Sequence, residues 1–420
     1  MTNNHSKASS SPVEIAEKAG WDVIVVGGGM VGATAALGLA QQQFNVLLLE
    51  QYEPDLSWST QQPYQVRVSA LTRASENILK ALGAWPGIEA RRCHAFTDMH
   101  VWESSSEAEV HFSAADIHQA NLGHVVENSV IQAALWEQLL AHPSVTIRTG
   151  DEVVDLSLTS QGAEVFLSNG ESLLTQLVVG ADGAASKTRQ LAGIELTTHD
   201  YHQCAVVGCV ETELSHQNTC WQRYQADGPF AFLAMPDNQS SIAWYLPIEK
   251  MQWALALSDE AFAEAITEAS ANKLGQVIKV GERGAFPLIR RHANHYIQPH
   301  FVLIGDAAHT VHPQAGQGVN LGLLDAAALI DTLANARQQA PEKDWSRRSV
   351  LRRYERWRRG DNVIVQRSME GFDWMFQQDQ SVKNKLRSKI LPLANQATPI
   401  KNWLMSQVLK GREVLPSLAQ

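Results

Sequence analysis

Cysteine is scarce in this chain of 420 residues. There are four, Cys93, Cys204, Cys209 and Cys220, and none forms a C-x-x-C pair. That excludes a disulfide framework and a zinc ribbon, and it reads as reduced thiols of a cytoplasmic protein. Long apolar runs are also missing. No stretch of eighteen apolar residues occurs, so no membrane-spanning helix is expected. The first twenty residues are polar and rich in Ser and Asn, without an apolar h-region; residues 1–20 read as a disordered tail, not a signal peptide. Basic charge is in short supply. Lys and Arg number 34 against 44 Asp and Glu, a net charge of −10, which argues against nucleic acid as a partner. G-x-S-x-G and H-E-x-x-H are absent, so hydrolase chemistry has no support. Two H-x-x-H pairs, His292/His295 and His309/His312, fall in loop-like segments with too few ligands, and no metal is expected. There are no internal repeats.

What is present is the composition of a folded protein, 45% apolar and 19% charged, long enough for two or three domains. An apolar strand, Trp21 to Val26, runs into Gly27, Gly29 and Gly32, spaced G-x-G-x-x-G. A small-residue helix follows over 31–41, then a second strand over 45–49 ending at Glu50. A G-x-G-x-x-G alone is weak. Here strand, helix, second strand and terminal acid agree on a dinucleotide site. Gly27 suits the tight turn, Gly29 the approach of a pyrophosphate and Gly32 close helix–strand packing. Glu50 suits the ribose hydroxyls.

Residues 51–66 are irregular. The stretch beginning at Arg67 carries Ala70, Leu71, Ala74, Ile78, Leu79 and Leu82 at helical spacing, which puts Arg67 at a helix head, facing either a phosphate, a flavin edge or solvent. Two short alternating pieces between 103 and 127 read as strands. A helix over 130–140 carries Gln132, a candidate for a cofactor hydrogen bond. Three segments from 145 to 170 read as a β-meander with a tight Asn169-Gly170 turn. A buried strand then ends in Gly180-Ala-Asp182-Gly183, which places Asp182 either near a cofactor or in a capped turn. Residues 201–284 alternate as an antiparallel sheet with a helix from 259, inserted between cofactor segments.

The segment 301–320 reads strand, acid, loop, helix: Phe301 to Ile304, then Gly305-Asp306, then Pro313, Gly316 and Gly318, then helical spacing from Val319. An acid at a strand end accepts hydrogen bonds from polyol hydroxyls. A helix start offers unpaired N–H groups and positive dipole to an electron-rich ring edge. After residue 340 the chain reads as helical. Seven arginines, Arg347, Arg348, Arg352, Arg353, Arg356, Arg358 and Arg359, crowd its first part, followed by Met369, Phe372, Trp374, Met375 and Phe376. They suit either a solvated helix with a packed face or a basic and apolar surface resting on anionic lipid.

With Gly27-x-Gly29-x-x-Gly32, Gly180-Ala-Asp182-Gly183 and Gly305-Asp306 in this order, the chain resembles the class A FAD-dependent monooxygenases. The form of residues 305–322, GDAAH followed by P-x-x-G-Q-G-x-N-L-G, is similar to their ubiquinone-biosynthesis hydroxylase branch. The segments 92–96, 101–103, 126–136 and 285–293 look most like its last ring-hydroxylation step. Two positions depart from relatives: Gln65 stands where Asp is frequent, and Gln314 where Leu is. The resemblance implies an α/β protein with a Rossmann-like FAD-binding domain over 21–200 and 285–345, an inserted antiparallel-sheet substrate domain over 201–284, and a helical C-terminal region over 346–420. It implies FAD held non-covalently and NAD(P)H as transient electron donor. Gly27, Gly29, Gly32, Glu50, Arg67, Gln132, Asp182, Gly305, Asp306, Gly318, Val319 and Asn320 would bind the cofactor. Pro313, Gly316, Gln317 and Gly318 would surround the flavin ring. The substrates implied are O2 and 2-polyprenyl-3-methyl-6-methoxy-1,4-benzoquinol, with oxygen delivered through a C4a-hydroperoxyflavin. The alternatives are a 2-polyprenylphenol as substrate, or a non-catalytic flavin- and quinone-binding subunit. A biosynthetic complex, and a cytoplasmic protein peripheral to the inner membrane, complete the expectation.

Overall fold

The computed structural model describes residues 20–103, 109–311, 317–376 and 414–420. The expected tail up to residue 19, His312, Pro313, Gln314, Gly316 and most of the region after residue 376 lie outside the described residues.

The apolar run Trp21–Val26 becomes the central strand of an eight-stranded sheet. It pairs in parallel with Val46–Glu50 on one side and Ser172–Gly180 on the other. Val145–Thr149 and Phe301–Leu303 extend the parallel order outward. Strands buried on both faces read as continuous apolar runs, as Trp21–Val26, Val46–Glu50 and Phe301–Leu303 do, while the edge strand Val145–Thr149 is only partly buried. Two helices made largely of small apolar residues, Met30–Gln41 and Gln317–Gln339, pack together over this sheet. Their approach is close: a Cβ on Gly38 would lie 2.3 Å from the Ile330 side chain. Gly318–Gln339 is the one helix among the described residues long and apolar enough to cross a membrane, and 72% of its apolar window is buried inside the protein. It is a core helix.

Several strands depart from the expected pattern. The Asn169-Gly170 turn joins antiparallel strands Ala163–Leu167 and Ser172–Gly180, with Gly170 at φ +87°. The meander, however, consists of Val153–Leu158 and these two strands. Val145–Thr149 lies instead at the far edge of the parallel sheet. The helix expected from Arg67 begins only at Arg73. Val68–Leu71 is a strand paired with Gly123–Glu127, and Thr72 caps the helix by accepting from the Ser75 N–H.

The second sheet is also eight-stranded and larger than the expected 201–284 insertion. Its two longest strands, Leu196–Thr212 and Val277–Ala293, run through both expected boundaries, and it recruits Asp98–Glu103 and Glu109–Ser113. Pairing is antiparallel except where Thr219–Tyr224 meets Asp98–Glu103 in parallel. Side chains alternate across a strand, and here both faces are apolar. Val206, Val210, Phe230, Phe232, Ile242 and Trp244 pack under the helices Ile248–Ala256 and Asp259–Ala269. The alternate residues Ala205, Val207, Ala231, Leu233, Ala243 and Tyr245 face a cleft on the other side.

Candidate functional site

The cleft lies between the two sheets and encloses about 880 Å³. Its first wall is assembled from the ends of the parallel strands: Gly29, Met30 and Val31 after the first strand, Ala181 and Gly183 after Ser172–Gly180, and Ile304 and Asp306 after Phe301–Leu303. Arg67, Gln132, Gly318 and Val319 complete it. Ligands of open α/β sheets lie at this carboxyl end.

The three fingerprint glycines have distinct reasons. Gly27 has φ +105°, and a Cβ there would stand 2.5 Å from the Ala181 carbonyl oxygen. A Cβ on Gly32 would lie 1.9 Å from the Gly27 carbonyl oxygen. Both are glycines because of the protein itself. Gly29 differs: a Cβ there would meet nothing within 4 Å, and the same holds at Gly318, which also lines the cleft, whereas Gly183 beside them is held at φ +78°. The side-chain space of Gly29 and Gly318 opens toward the cleft, which fits a ligand lying directly on backbone. The residues present therefore fit FAD.

Glu50 ends its strand and accepts from the Gly28 N–H and, at 3.1 Å, from the Tyr52 N–H. Gln132 donates to the Gly28 carbonyl at 3.0 Å, and Trp136 donates its indole N–H to the same oxygen at 2.7 Å. Trp136 escaped the sequence reading because a Trp on an apolar helix stripe reads as core. Arg67 is exposed to the cleft, its guanidinium 4.9 Å from the ring centroid of Phe286 on the opposite sheet.

Asp306 opens into the cleft and is otherwise enclosed by protein. Burial pushes its carboxyl above the usual carboxylate range, opposed by His309, Arg67 and Arg291, while Asp325 adds to the push. Gly305 before it has φ +58° and donates its N–H to Asp325 at 3.2 Å.

Three expected side chains do not line the cleft, Glu50 being the first. Asp182 accepts from Ser186 Oγ, from the Thr188 N–H at 2.9 Å and from Thr188 Oγ1 at 2.7 Å. That is the capped-turn reading; its neighbours Ala181 and Gly183, not Asp182, line the cleft. Asn320 is buried and receives the Thr72 N–H at 3.0 Å and the Ser75 hydroxyl at 2.6 Å, while donating to the Ala70 carbonyl. It ties the long helix to the Val68–Leu71 strand instead of touching the cleft. Gly27 and Gly32 stand behind the cleft wall. Pro313, Gly316 and the Gln317 side chain lie outside the described residues.

A family model described as "FAD binding domain" matches residues 20–363. The chain is 40% identical over 388 residues to 3-demethoxyubiquinol 3-hydroxylase of Escherichia coli (strain K12), covering 92% of this chain and 98% of that one. It is 32% identical to ubiquinone hydroxylase UbiL of Rhodospirillum rubrum, over 92% of this chain and 89% of that one. It is 31% identical to the mitochondrial ubiquinone biosynthesis monooxygenase COQ6 of Homo sapiens, over 92% of each chain. Its fold matches crystalline p-nitrophenol 4-monooxygenase PnpA from Pseudomonas putida DLL-E4 with a TM-score of 0.74, at 18% identity and with 94% and 99% of the two chains covered. On its sheets, its glycine-lined cleft and these likenesses, the chain belongs to the FAD-binding class A monooxygenases, in the ubiquinone-biosynthesis hydroxylase family.

Proposed function

We propose that this protein hydroxylates the ring of 2-polyprenyl-3-methyl-6-methoxy-1,4-benzoquinol, inserting one oxygen atom from O2 at the expense of NAD(P)H. The observation that carries this reading is one cleft with two unlike walls: backbone, glycine and Asp306 on one side, and an apolar sheet face from Ala205 to Phe286 on the other. A flat cofactor suits the first and an apolar ring with a prenyl tail suits the second.

When bound, FAD accepts the hydride of NAD(P)H and activates O2, so that quinol, O2, NAD(P)H and a proton give hydroxylated quinol, NAD(P)⁺ and water. The chain supplies position and environment. Gly29 admits the pyrophosphate, Glu50 holds the ribose and Asp306 accepts from the ribityl hydroxyls. The first turn of Gln317–Gln339 offers N–H groups at Gly318 and Val319, both in the cleft. The quinol already carries electron-donating oxygens, so the chain needs to align it and exclude water, and the sheet face does both.

Lipid extracts from cells lacking this gene, resolved by mass spectrometry, test the reading. Accumulated 3-methyl-6-methoxy benzoquinol is the expected result. Accumulated prenylphenol would assign the protein to the earlier hydroxylation. Purified protein whose flavin NAD(P)H fails to reduce would make it a binding subunit of the biosynthetic assembly.

We also infer that the C-terminal helix Arg348–Phe376 rests on an anionic membrane surface, where such a substrate resides. Arg348, Arg352, Arg353, Arg356 and Arg359 are exposed along one side, with Ile364 at 44% exposure. Arg358 is not part of this surface, being 3% exposed. Replacing Arg352, Arg356 and Arg359 by Gln is expected to weaken co-sedimentation with phosphatidylglycerol vesicles on the order of 100-fold at low salt, from about 1 kcal/mol per arginine. Unchanged co-sedimentation would make the helix face a solvated one.

A further inference from the structure

Behind the Gly305-Asp306 turn lies a buried charge cluster that no motif describes. Asp325, on the long helix, is fully buried. Both its oxygens are occupied. Oδ2 accepts from His309 Nε2 at 2.5 Å and from the Gly305 N–H at 3.2 Å. Oδ1 accepts from Arg358 Nε at 2.7 Å and from Asn362 Nδ2 at 3.1 Å. Arg358 and Asn362 come from the C-terminal helix, and Arg358 Nη2 closes the ring by donating to Asn362 Oδ1 at 3.0 Å. The Tyr296 ring stacks on His309, with centroids 5.9 Å apart. Three separate stretches of chain therefore meet on one carboxylate.

A carboxylate this deep is costly unless fully paired. An apolar side chain at position 325 would fill a core site between Leu321 and Leu329 at less cost. The acid instead holds one particular N–H, that of Gly305. That peptide is in the left-handed region and precedes the carboxylate that opens into the cleft. Fixing the Gly305 peptide fixes the direction in which Asp306 leaves the backbone.

We propose that Asp325 is the positioning residue of the cofactor site: with His309 and Arg358 it locks the Gly305 peptide so that Asp306 meets the ribityl chain of FAD. This rests on the assignment of Asp306 to the ribityl hydroxyls. Through Arg358, the C-terminal helix becomes part of the cofactor site although none of its described side chains lines the cleft.

The test is a double-mutant cycle on FAD affinity, read by quenching of FAD fluorescence on titration into the deflavinated full-length protein. Asp306→Ala and Asp325→Asn are each expected to raise the dissociation constant ~10–100-fold, as for loss of a hydrogen bond to a charged group. Because Asp325 acts through Asp306, adding Asp325→Asn to Asp306→Ala is expected to change it by less than ~3-fold. The two single variants, saturated with FAD, are expected to share the same altered visible absorption band. A merely structural acid gives another pattern: the melting temperature of the apoprotein falls while FAD affinity stays within twofold, or the two effects multiply. Either result overturns the proposal. If Asp306→Ala alone leaves FAD affinity unchanged, the Asp306 assignment fails first, and positioning fails with it. Should Asp325→Asn not fold, Arg358→Lys, which keeps the charge but loses the Nε donor, enters the same cycle.

Discussion

Gly32→Ala is expected to cost this protein much of its stability, whereas Gly29→Ala three residues earlier costs it only its cofactor. The Gly32 Cβ would be placed 1.9 Å from the Gly27 carbonyl oxygen and 3.0 Å from the Ala181 Cβ. Neither neighbour is the end of a flexible side chain. The Gly27 oxygen belongs to the turn leaving the central strand, whose N–H is pinned at 2.8 Å to the Leu49 carbonyl. Relief requires the fingerprint helix to lift from the sheet, and with it the apolar contacts of Ala33, Ala36, Leu37 and Ala40. Overpacking against backbone belongs at the top of the usual range, roughly 4 kcal/mol or more, which lowers the melting temperature by about 10 °C in a domain of this size. At Gly29 no atom lies within 4 Å of the added methyl. Its apoprotein should melt within a degree or two of wild type while FAD binding falls at least ~10-fold. Thermal melts of the two apoproteins, with FAD titrations beside them, check the pair. Equal melting temperatures would remove the steric account of Gly32. Unchanged FAD binding by Gly29→Ala would remove Gly29 from the pyrophosphate site.

That contrast also marks what was legible in the sequence. The fingerprint turn, its helix and the second strand are set by neighbours within thirty residues, and such local patterns carry their own spacing. The Gly305-Asp306 turn was legible for the same reason. Arg67 was misplaced because Ala70, Leu71 and Ala74 fit a helical stripe equally well. Pairing with Gly123–Glu127, more than fifty residues away, decides for a strand up to Leu71. Asp182 and Asn320 carry motif positions whose partners are other side chains, the Thr188 hydroxyl for one and the Ser75 hydroxyl for the other. The Asp325 cluster did leave a trace. Asp325 sits one helical step from both Leu321 and Leu329, and Arg358 one step from Tyr354, so each charge lies on a core-facing row. A charge on such a row announces a buried partner. The sequence alone does not say that two such rows meet, and it leaves Arg358 among six neighbouring arginines with nothing to set it apart.

The other large effect is expected at Arg92, which fastens the irregular stretch leading to Arg67. Its guanidinium lies 4.8 Å from the Trp58 ring centroid and 4.1 Å from that of Tyr64. It donates to the Gln62 and Pro63 carbonyls at 3.0 and 3.2 Å and pairs with Glu127, Nε to Oε2 at 2.9 Å. Glu127 is fully buried, and it also receives the Gln65 N–H at 2.8 Å. Burial raises the Glu127 pKa above its ordinary 4.5, against the pull of Gln65 and Arg92. Arg92→Met keeps the apolar stem but leaves a buried carboxylate with one backbone donor. Breaking a buried pair in this way costs about 3–5 kcal/mol. The sign with pH follows from linkage. Without Arg92 the folded-state pKa of Glu127 rises further, so the folded state gains stability by holding its proton. The deficit is therefore small near and below pH 4.5 and grows as pH rises toward neutrality. Urea unfolding at pH 7 and pH 5 is expected to show the larger loss at pH 7. Glu127→Gln in the same background is expected to restore most of it, since an amide needs no counter-charge. A loss equal at both pH values and untouched by Glu127→Gln would mean that Arg92 acts through its aromatic and carbonyl contacts. The strap would then be held by packing, and Arg67 would owe its place over the cleft to Trp58 and Tyr64 instead of to the ion pair beneath them.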